Sequence, residues 1–125
     1  MREIKNVPHA PKPAGPYSHA ILANGFVFVS GQGPQNPETG EVPDNFEEQV
    51  RQTLRNVQTI LEAAGTDLQH VVKVNSYLTD LTRFQAYNAV YREFFPDGPP
   101  ARTTIAADLL GILVEIDCIA VLPDA

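Results

Sequence analysis

The sequence predicts an α+β domain in which two helices cover one face of a single mixed β-sheet. Two segments have the apolar spacing of amphipathic helices, and runs rich in strand-forming residues flank them both. The predicted element order is β-β-α-β-α-β-β. A chain of 125 residues is long enough for one domain with its own core, so we treat residues 1–125 as a single unit.

The N-terminal third predicts an extended lead-in and then a hairpin. Prolines recur through residues 8–16, which prevents a helix there. Residues 17–23 and 26–30 are strand-like, and Asn24-Gly25 between them is typical of a two-residue turn that needs positive φ angles. The loop over residues 31–43 is rich in glycine and proline, and loops this long in compact domains usually carry function.

The first helix is expected to begin at the N-cap Asp44, with Glu47 as its capping-box partner, and to end at Gly65. A strand over residues 71–78 and a second helix ending before Pro96 should follow. The inner faces of the two helices are predicted to carry Phe46, Val50, Leu54, Val57, Leu61 and Ala64, and then Phe84, Tyr87, Val90, Tyr91 and Phe94.

The last two strands carry the charged residues of greatest interest. Residues 114–121 alternate, so that Glu115 and Asp117 share one face while the small and apolar residues between them share the other. A carboxylate among apolar strand residues needs a cation or a hydrogen-bond donor. Arg102, on the preceding strand, is the nearest arginine, and we therefore expect it to pair with Glu115.

Two helices on one side cannot cover all the apolar surface that the sequence predicts for the sheet. Residues 26–29 and 112–121 are apolar on both faces, yet both helices are expected on one side of the sheet. The other side then needs cover from another subunit, and a closed homo-oligomer supplies it most simply.

Composition disfavours several classes of partner. Fifteen acidic residues against nine basic ones give a net charge of −6 without a basic cluster, so we expect no nucleic-acid partner. No apolar run approaches the roughly 20 residues that span a bilayer, and residues 1–6 lack the apolar stretch of a secretory signal, so we expect a cytoplasmic protein. The single cysteine, Cys118, suits a reducing cytoplasm and should be a small buried apolar residue. His9, His19 and His70 lack metal-ligand spacing and are expected to be exposed.

Six short motifs occur in order along the chain. They are Ala-Gly-Pro-Tyr-Ser at residues 14–18, Ser-Gly-Gln at 30–32, Pro-Glu-Thr-Gly-Glu at 37–41, Asn-Ala-Val-Tyr at 88–91, Pro-Ala-Arg at 100–102 and Val-Glu-Ile at 114–116. Together they resemble the RidA (YjgF) family of reactive-intermediate deaminases, over about residues 10–121.

This resemblance implies a chorismate-mutase-like fold, a homotrimer with sites in the clefts between subunits, and catalysis without a cofactor or metal. It implies hydrolysis of 2-iminopropanoate and 2-iminobutanoate to 2-oxo acids and ammonia. In the family pattern Arg102 clamps the substrate carboxylate and Glu115 handles water. The other family site positions fall on Thr104, Tyr17, Ser30, Gly31 and Asn88.

Three departures from the family pattern concern the cleft walls: His19 in place of glutamine, Gly33 in place of isoleucine, and a short segment at residues 108–112 without the common Leu-Pro. They leave open a larger enamine substrate such as 2-aminomuconate. A metabolite-binding or chaperone-like module that holds 2-oxo acids without turnover is a further alternative. Glu115 could then be only a counter-charge for Arg102.

Overall fold

The computed structural model describes residues 1–4 and 6–123. Short 3-10 helical turns at Leu68–His70 and Leu81–Arg83 lie directly before the fourth strand and the second helix. The elements in chain order are β1 (Arg2–Ile4), β2 (Ala20–Ala23), β3 (Phe26–Gln32), α1 (Phe46–Ala63), β4 (Val71–Leu78), α2 (Phe84–Phe94), β5 (Ala101–Ala106) and β6 (Val114–Val121).

The described strands form one mixed sheet in the order β1-β2-β3-β6-β4-β5. The β4–β5 pair is parallel and the other neighbours are antiparallel. The α+β prediction is confirmed, with one addition. The three residues of β1 were not predicted, and they pair with β2 at the sheet edge.

Both helices pack on the same face of the sheet, and they bury the apolar stripe that the sequence predicts for α1. The predicted N-cap is wrong by one residue. Asn45 caps α1, and its side chain accepts the backbone N–H of Glu48. Gly65 ends the helix as predicted, at a φ of +95° that favours glycine, and the Thr66 N–H bonds back to the Leu61 carbonyl.

The Asn24-Gly25 hairpin forms as predicted, with φ angles of 52° and 80° at the two turn residues. Its first strand is shorter than expected, because β2 begins only at Ala20. The pairing of β3 with β6 shifts between Val29 and Gln32. Such a bulge bends the strand and re-aims its side chains.

The second face of the sheet is left uncovered by the helices, and we call it the open face. Phe26, Phe28 and Ile105 are 40%, 43% and 47% exposed there. An apolar face of this kind is typical of an interface. Strand alternation and register assign to it, among others, Phe26, Phe28, Lys73, Asn75, Tyr77, Thr103, Ile105, Glu115, Asp117, Ile119 and Val121.

Two predictions of exposure or burial are wrong. His19 is buried, at 1% exposure, because its ring ties the proline-rich segment to the sheet: Nδ1 accepts the Val7 N–H at 2.9 Å and Nε2 donates to the Pro11 carbonyl at 2.7 Å. Phe84, at the start of α2, is 38% exposed. Within residues 1–4 and 6–123, neither helix is long and apolar enough to cross a membrane.

Candidate functional site

Glu115 lies on β6 with its side chain on the open face, directly against Gly31. A Cβ placed on Gly31 would lie only 2.5 Å from Glu115 Oε2, so the carboxylate fills the space that any side chain at position 31 would need. Gly31 reaches this position because it lies within the bulge of β3. The bulge and the glycine together open a place for the carboxylate.

A cleft of about 560 Å³ opens above Glu115. Tyr17 forms part of its wall, although the sequence analysis assigned this residue to a strand and the structure has it in a loop. The Tyr17 ring is 46% exposed, and its hydroxyl accepts the Ala14 N–H at 3.0 Å. The cleft is lined further by Pro11, Lys12, Pro13, Ala14, Gly31, Gln32, Gly33, Gln35, Asp108, Leu109, Leu110 and Ile112.

The electrostatic environment of Glu115 favours proton acceptance. No hydrogen bond or ion pair to its carboxylate is formed by the residues that the structure describes. Burial raises the pKa of Glu115, and the neighbouring charge of Asp117 raises it further. Asp117 takes the available donors, because Asn75 Nδ2 and the Tyr77 hydroxyl donate to its two oxygens at 2.9 and 2.8 Å. The same contact with Asp117, with burial, raises the pKa of Tyr77 to about 12.

Arg102 on β5 points toward α2. Its Nη2 donates to Asn88 Oδ1 at 2.7 Å. The guanidinium carbon lies 4.6 Å from the centre of the Tyr91 ring, with Tyr87 and Phe84 close by. No ion pair among the described residues includes Arg102. It borders a second cleft of about 420 Å³, which Asn88, Tyr91 and Pro100 also line.

The expected pairing of Arg102 with Glu115 within one chain is wrong. The strand β4 separates β5 from β6, and it aligns Val74 with Arg102 and Tyr77 with Glu115. Residues three apart on a strand point to opposite faces. The two charged groups therefore lie on opposite faces of the sheet, and Arg102 cannot pair with Glu115 of the same chain.

The family model described as "Endoribonuclease L-PSP" matches residues 7–122. The chain belongs to the YjgF/RidA/RutC family. It is 47% identical over 119 residues to a RutC family protein of Aquifex aeolicus, with 94% of both chains covered. It is 44% identical over 124 residues to the chloroplastic Reactive Intermediate Deaminase A of Arabidopsis thaliana, covering 97% of this chain and 66% of that protein.

Solved structures agree with the fold. The crystal structure of RidA from the Antarctic bacterium Psychrobacter superimposes with a TM-score of 0.92 at 35% identity, covering 98% of this chain and all of that one. The family therefore includes proteins named as reactive-intermediate deaminases and others whose names give only the family or a ribonuclease.

The structure divides the predicted site residues into two groups. Arg102 contacts Asn88, and Thr104 lies two residues further along the same face of β5. The Thr104 hydroxyl is buried without a hydrogen-bond partner among the described residues. Tyr17, Gly31 and Glu115 form the other group at the larger cleft.

Ser30 differs from the other predicted site residues, because its hydroxyl is engaged within the fold. It donates to the Ser18 carbonyl at 2.6 Å, while the Ser30 N–H donates to the His19 carbonyl. These bonds fasten the Tyr17 loop to the bulge of β3. Ser30 is not among the residues that line the cleft above Glu115.

The sequence analysis missed two sets of neighbours. It assigned Tyr87 and Tyr91 only to the core, although aromatic residues at this helical spacing could have indicated a surface for a cation. It also left Asp117 without a role. The alternation of β6 placed Asp117 beside Glu115, but the donors Asn75 and Tyr77 come from a strand whose position the sequence does not reveal.

Proposed function

We propose that this protein hydrolyses small 2-imino acids, with 2-iminopropanoate and 2-iminobutanoate as substrates, to 2-oxo acids and ammonia. The observation that carries the proposal is an arginine, Arg102, that no described acid neutralises and that an asparagine holds at the edge of a cleft. A planar guanidinium binds a carboxylate through two parallel hydrogen bonds. The name of the Arabidopsis relative supports the same chemistry.

The reaction needs one water molecule and a group that moves its proton. Water attacks the carbon of the C=N bond, and its proton passes to a carboxylate as the C–O bond forms. The carboxylate passes this proton to the nitrogen, which gives a carbinolamine. It then takes the proton of the new hydroxyl group and delivers it to the nitrogen as well, so that the C–N bond breaks, the C=O bond forms and ammonia leaves. Glu115 suits this role, since no described residue donates a hydrogen bond to its carboxylate and burial raises its pKa.

A complete site then requires Arg102 of one copy and Glu115 of another. The exposed apolar residues of the open face supply a reason for such an assembly, because they bury best against a second copy. We propose a homotrimer, in which each interface joins one arginine cleft to one glutamate cleft. Each closed ring of three chains then has three equivalent sites.

The ribonuclease activity in the family model's name is disfavoured by charge. The chain carries a net charge of −6, and a polyanion binds through clusters of lysine and arginine that the sequence lacks. Binding of 2-oxo acids without turnover stays an alternative function. Deamination needs Glu115 as a catalytic group, whereas binding alone does not. A larger enamine would need extra room in the wall of the cleft at Gly33, but Gln35 Oε1 and Ile112 Cδ1 already lie 2.7 and 3.0 Å from where a Cβ would stand.

A coupled assay tests the proposal. A threonine dehydratase generates 2-iminobutanoate, semicarbazide traps it, and the trapped product is measured with and without this protein. We expect the wild-type protein to lower the trapped yield. The Arg102→Ala variant should give the same yield as a reaction without the protein. Arg51→Ala is the matched control, because Arg51 pairs with Glu48 and Glu93 on the helices. If the protein does not lower the yield, it is not an imine deaminase for this substrate; cleavage of RNA in a parallel assay would favour the ribonuclease.

A further inference from the structure

Two arginines of this chain are held in different ways. Arg51 lies between two carboxylates, with Nη1 at 2.6 Å from Glu48 and Nη2 at 2.7 Å from Glu93. Arg102 has no carboxylate partner among the described residues. It has one amide contact, to Asn88, and three aromatic rings.

The three rings come from one helix and form a single stripe. Phe84, Tyr87 and Tyr91 stand at positions i, i+3 and i+7 of α2, and their ring centres lie 5.5, 5.1 and 4.6 Å from the guanidinium carbon. All three distances fall within the range of a cation–π contact. The helix therefore presents an aromatic surface to the arginine.

Tyr91 is the closest ring and is itself held in place. It packs 4.6 Å from the Phe95 ring and 5.6 Å from the Tyr87 ring, and only 6% of it is exposed. Its hydroxyl is buried without a hydrogen-bond partner in the described part of the chain. The ring, and not the hydroxyl, is therefore the part of Tyr91 that the fold uses.

We propose that the ring of Tyr91 is a positioning group. It holds the Arg102 guanidinium in place to bind the substrate carboxylate, without neutralising the charge of the guanidinium. A glutamate at the same place would fix the arginine equally well, as Glu93 fixes Arg51, but it would compete with the substrate carboxylate. An aromatic face attracts the cation and leaves its N–H donors free. This inference rests on the proposed function, in which Arg102 binds the substrate carboxylate.

Two variants of Tyr91 separate the ring from the hydroxyl. Tyr91→Phe keeps the ring, so the dissociation constant of 2-oxobutanoate, measured by calorimetry, should stay within about twofold of the wild type. Tyr91→Leu removes the ring and should raise that constant by about 3–30-fold, the range that a lost cation–π contact gives. In the deaminase assay KM should rise by a similar factor, while kcat changes much less. Equal damage in both variants, or a wild-type dissociation constant for Tyr91→Leu, would overturn the proposal.

A second variant and a second measurement keep the test decisive. Phe84→Leu replaces a ring that is 38% exposed, so this variant should fold even if Tyr91→Leu fails to fold. It should raise the dissociation constant in the same direction by a smaller factor, and no rise would contradict the role of the stripe. The NMR signal of the Arg102 Nε–H reports the ring contact directly, and it should move in Tyr91→Leu and stay in Tyr91→Phe. If the wild type neither deaminates nor binds 2-oxobutanoate, the proposed function fails, whereas an unmoved NMR signal refutes the positioning role alone.

Discussion

The Glu115 carboxylate on β6 fills the space beside Gly31 of β3 that a side chain at position 31 would need. Position 31 therefore admits no side chain unless the carboxylate moves. A Cβ at position 31 would meet Glu115 Oε2 first, at 2.5 Å, and then the carboxyl carbon at 3.0 Å. The neighbour that would have to move is the end of a flexible side chain. A methyl group at position 31 therefore displaces the proposed proton acceptor and leaves the backbone as it is.

Gly31→Ala should accordingly lose most deaminase activity with little loss of stability. We expect the free energy of unfolding to fall by about 1 kcal/mol or less, as for point mutations that open no cavity. Imine trapping and thermal unfolding measure the two effects. Gly15→Ala is the matched control, because its Cβ would meet the Tyr17 ring at an ordinary 3.5 Å. Wild-type turnover in Gly31→Ala would show that the position of the Glu115 carboxylate is unimportant.

Glu115→Gln tests whether the carboxylate acts in the chemistry. Turnover of 2-iminopropanoate should fall by about 10²–10⁴, the range for lost general acid–base catalysis, while 2-oxobutanoate still binds. Folding raises the pKa of Glu115, so the native state keeps its proton to higher pH than the unfolded chain does. The stability from this group is present below the ordinary pKa of 4.5 and is lost as pH rises through the folded pKa.

The stability measurement on the same variant separates the two roles of Glu115. Glutamine at position 115 does not ionise, so the variant does not lose stability as pH rises through the folded pKa of Glu115. Its melting temperature at pH 7 should therefore be unchanged or higher than that of the wild type. If Glu115 were only a counter-charge for the arginine of another copy, glutamine would leave that cation unpaired, and both stability and ligand binding would fall. Unchanged turnover would remove Glu115 from the mechanism.

Asp117→Asn should move the pH dependence of turnover. Burial and, after it, the charge of Asp117 raise the pKa of Glu115, so removing that charge should lower this pKa. Glu115 must be ionised to accept a proton, and the acidic limb of the rate profile should therefore shift to lower pH. Tyr77→Phe is the control, because it removes one donor to Asp117 but keeps the charge. A limb that stays in place or moves to higher pH in Asp117→Asn would contradict this account.

Phe28→Glu should disrupt assembly without unfolding the domain. Phe28 is 43% exposed on the open face, and a glutamate there would have to be buried against another copy without a partner. Size exclusion with light scattering should give a trimer for the wild type and a smaller species for the variant, with the helical circular dichroism retained. Leu81→Glu makes the same change at a residue 46% exposed outside the sheet, and it should stay trimeric. A wild-type monomer at micromolar concentration would refute both the trimer and the shared site.

Local patterns predicted the elements, because each depends on residues close in sequence. The Asn24-Gly25 turn and the apolar stripe of α1 were predicted, since a turn type and a helical period need no knowledge of distant residues. The error at the helix start is also local. Asp44 and Asn45 are both good N-caps, and only the hydrogen bond from Glu48 decides between them.

The features that the sequence did not predict depend on pairing between distant residues. The short β1 exists only because β2 offers it an edge, and His19 is buried because the Val7 and Pro11 backbone folds over it. The separation of Arg102 from Glu115 follows from the insertion of β4 between their strands. Strand order is set by the whole sheet, and proximity in sequence was a poor guide to it.

The placement of Arg102 and Glu115 on opposite faces has a genetic consequence. If each site takes its arginine from one copy and its glutamate from the next, Arg102→Ala and Glu115→Gln should each be inactive alone and should complement each other in mixed trimers. Random co-assembly at equal amounts restores about a quarter of the wild-type sites. Co-expression of two differently tagged chains, purified through both tags, isolates the hybrids for the trapping assay. Hybrids that stay inactive would mean that the two residues act within a single chain or do not act together.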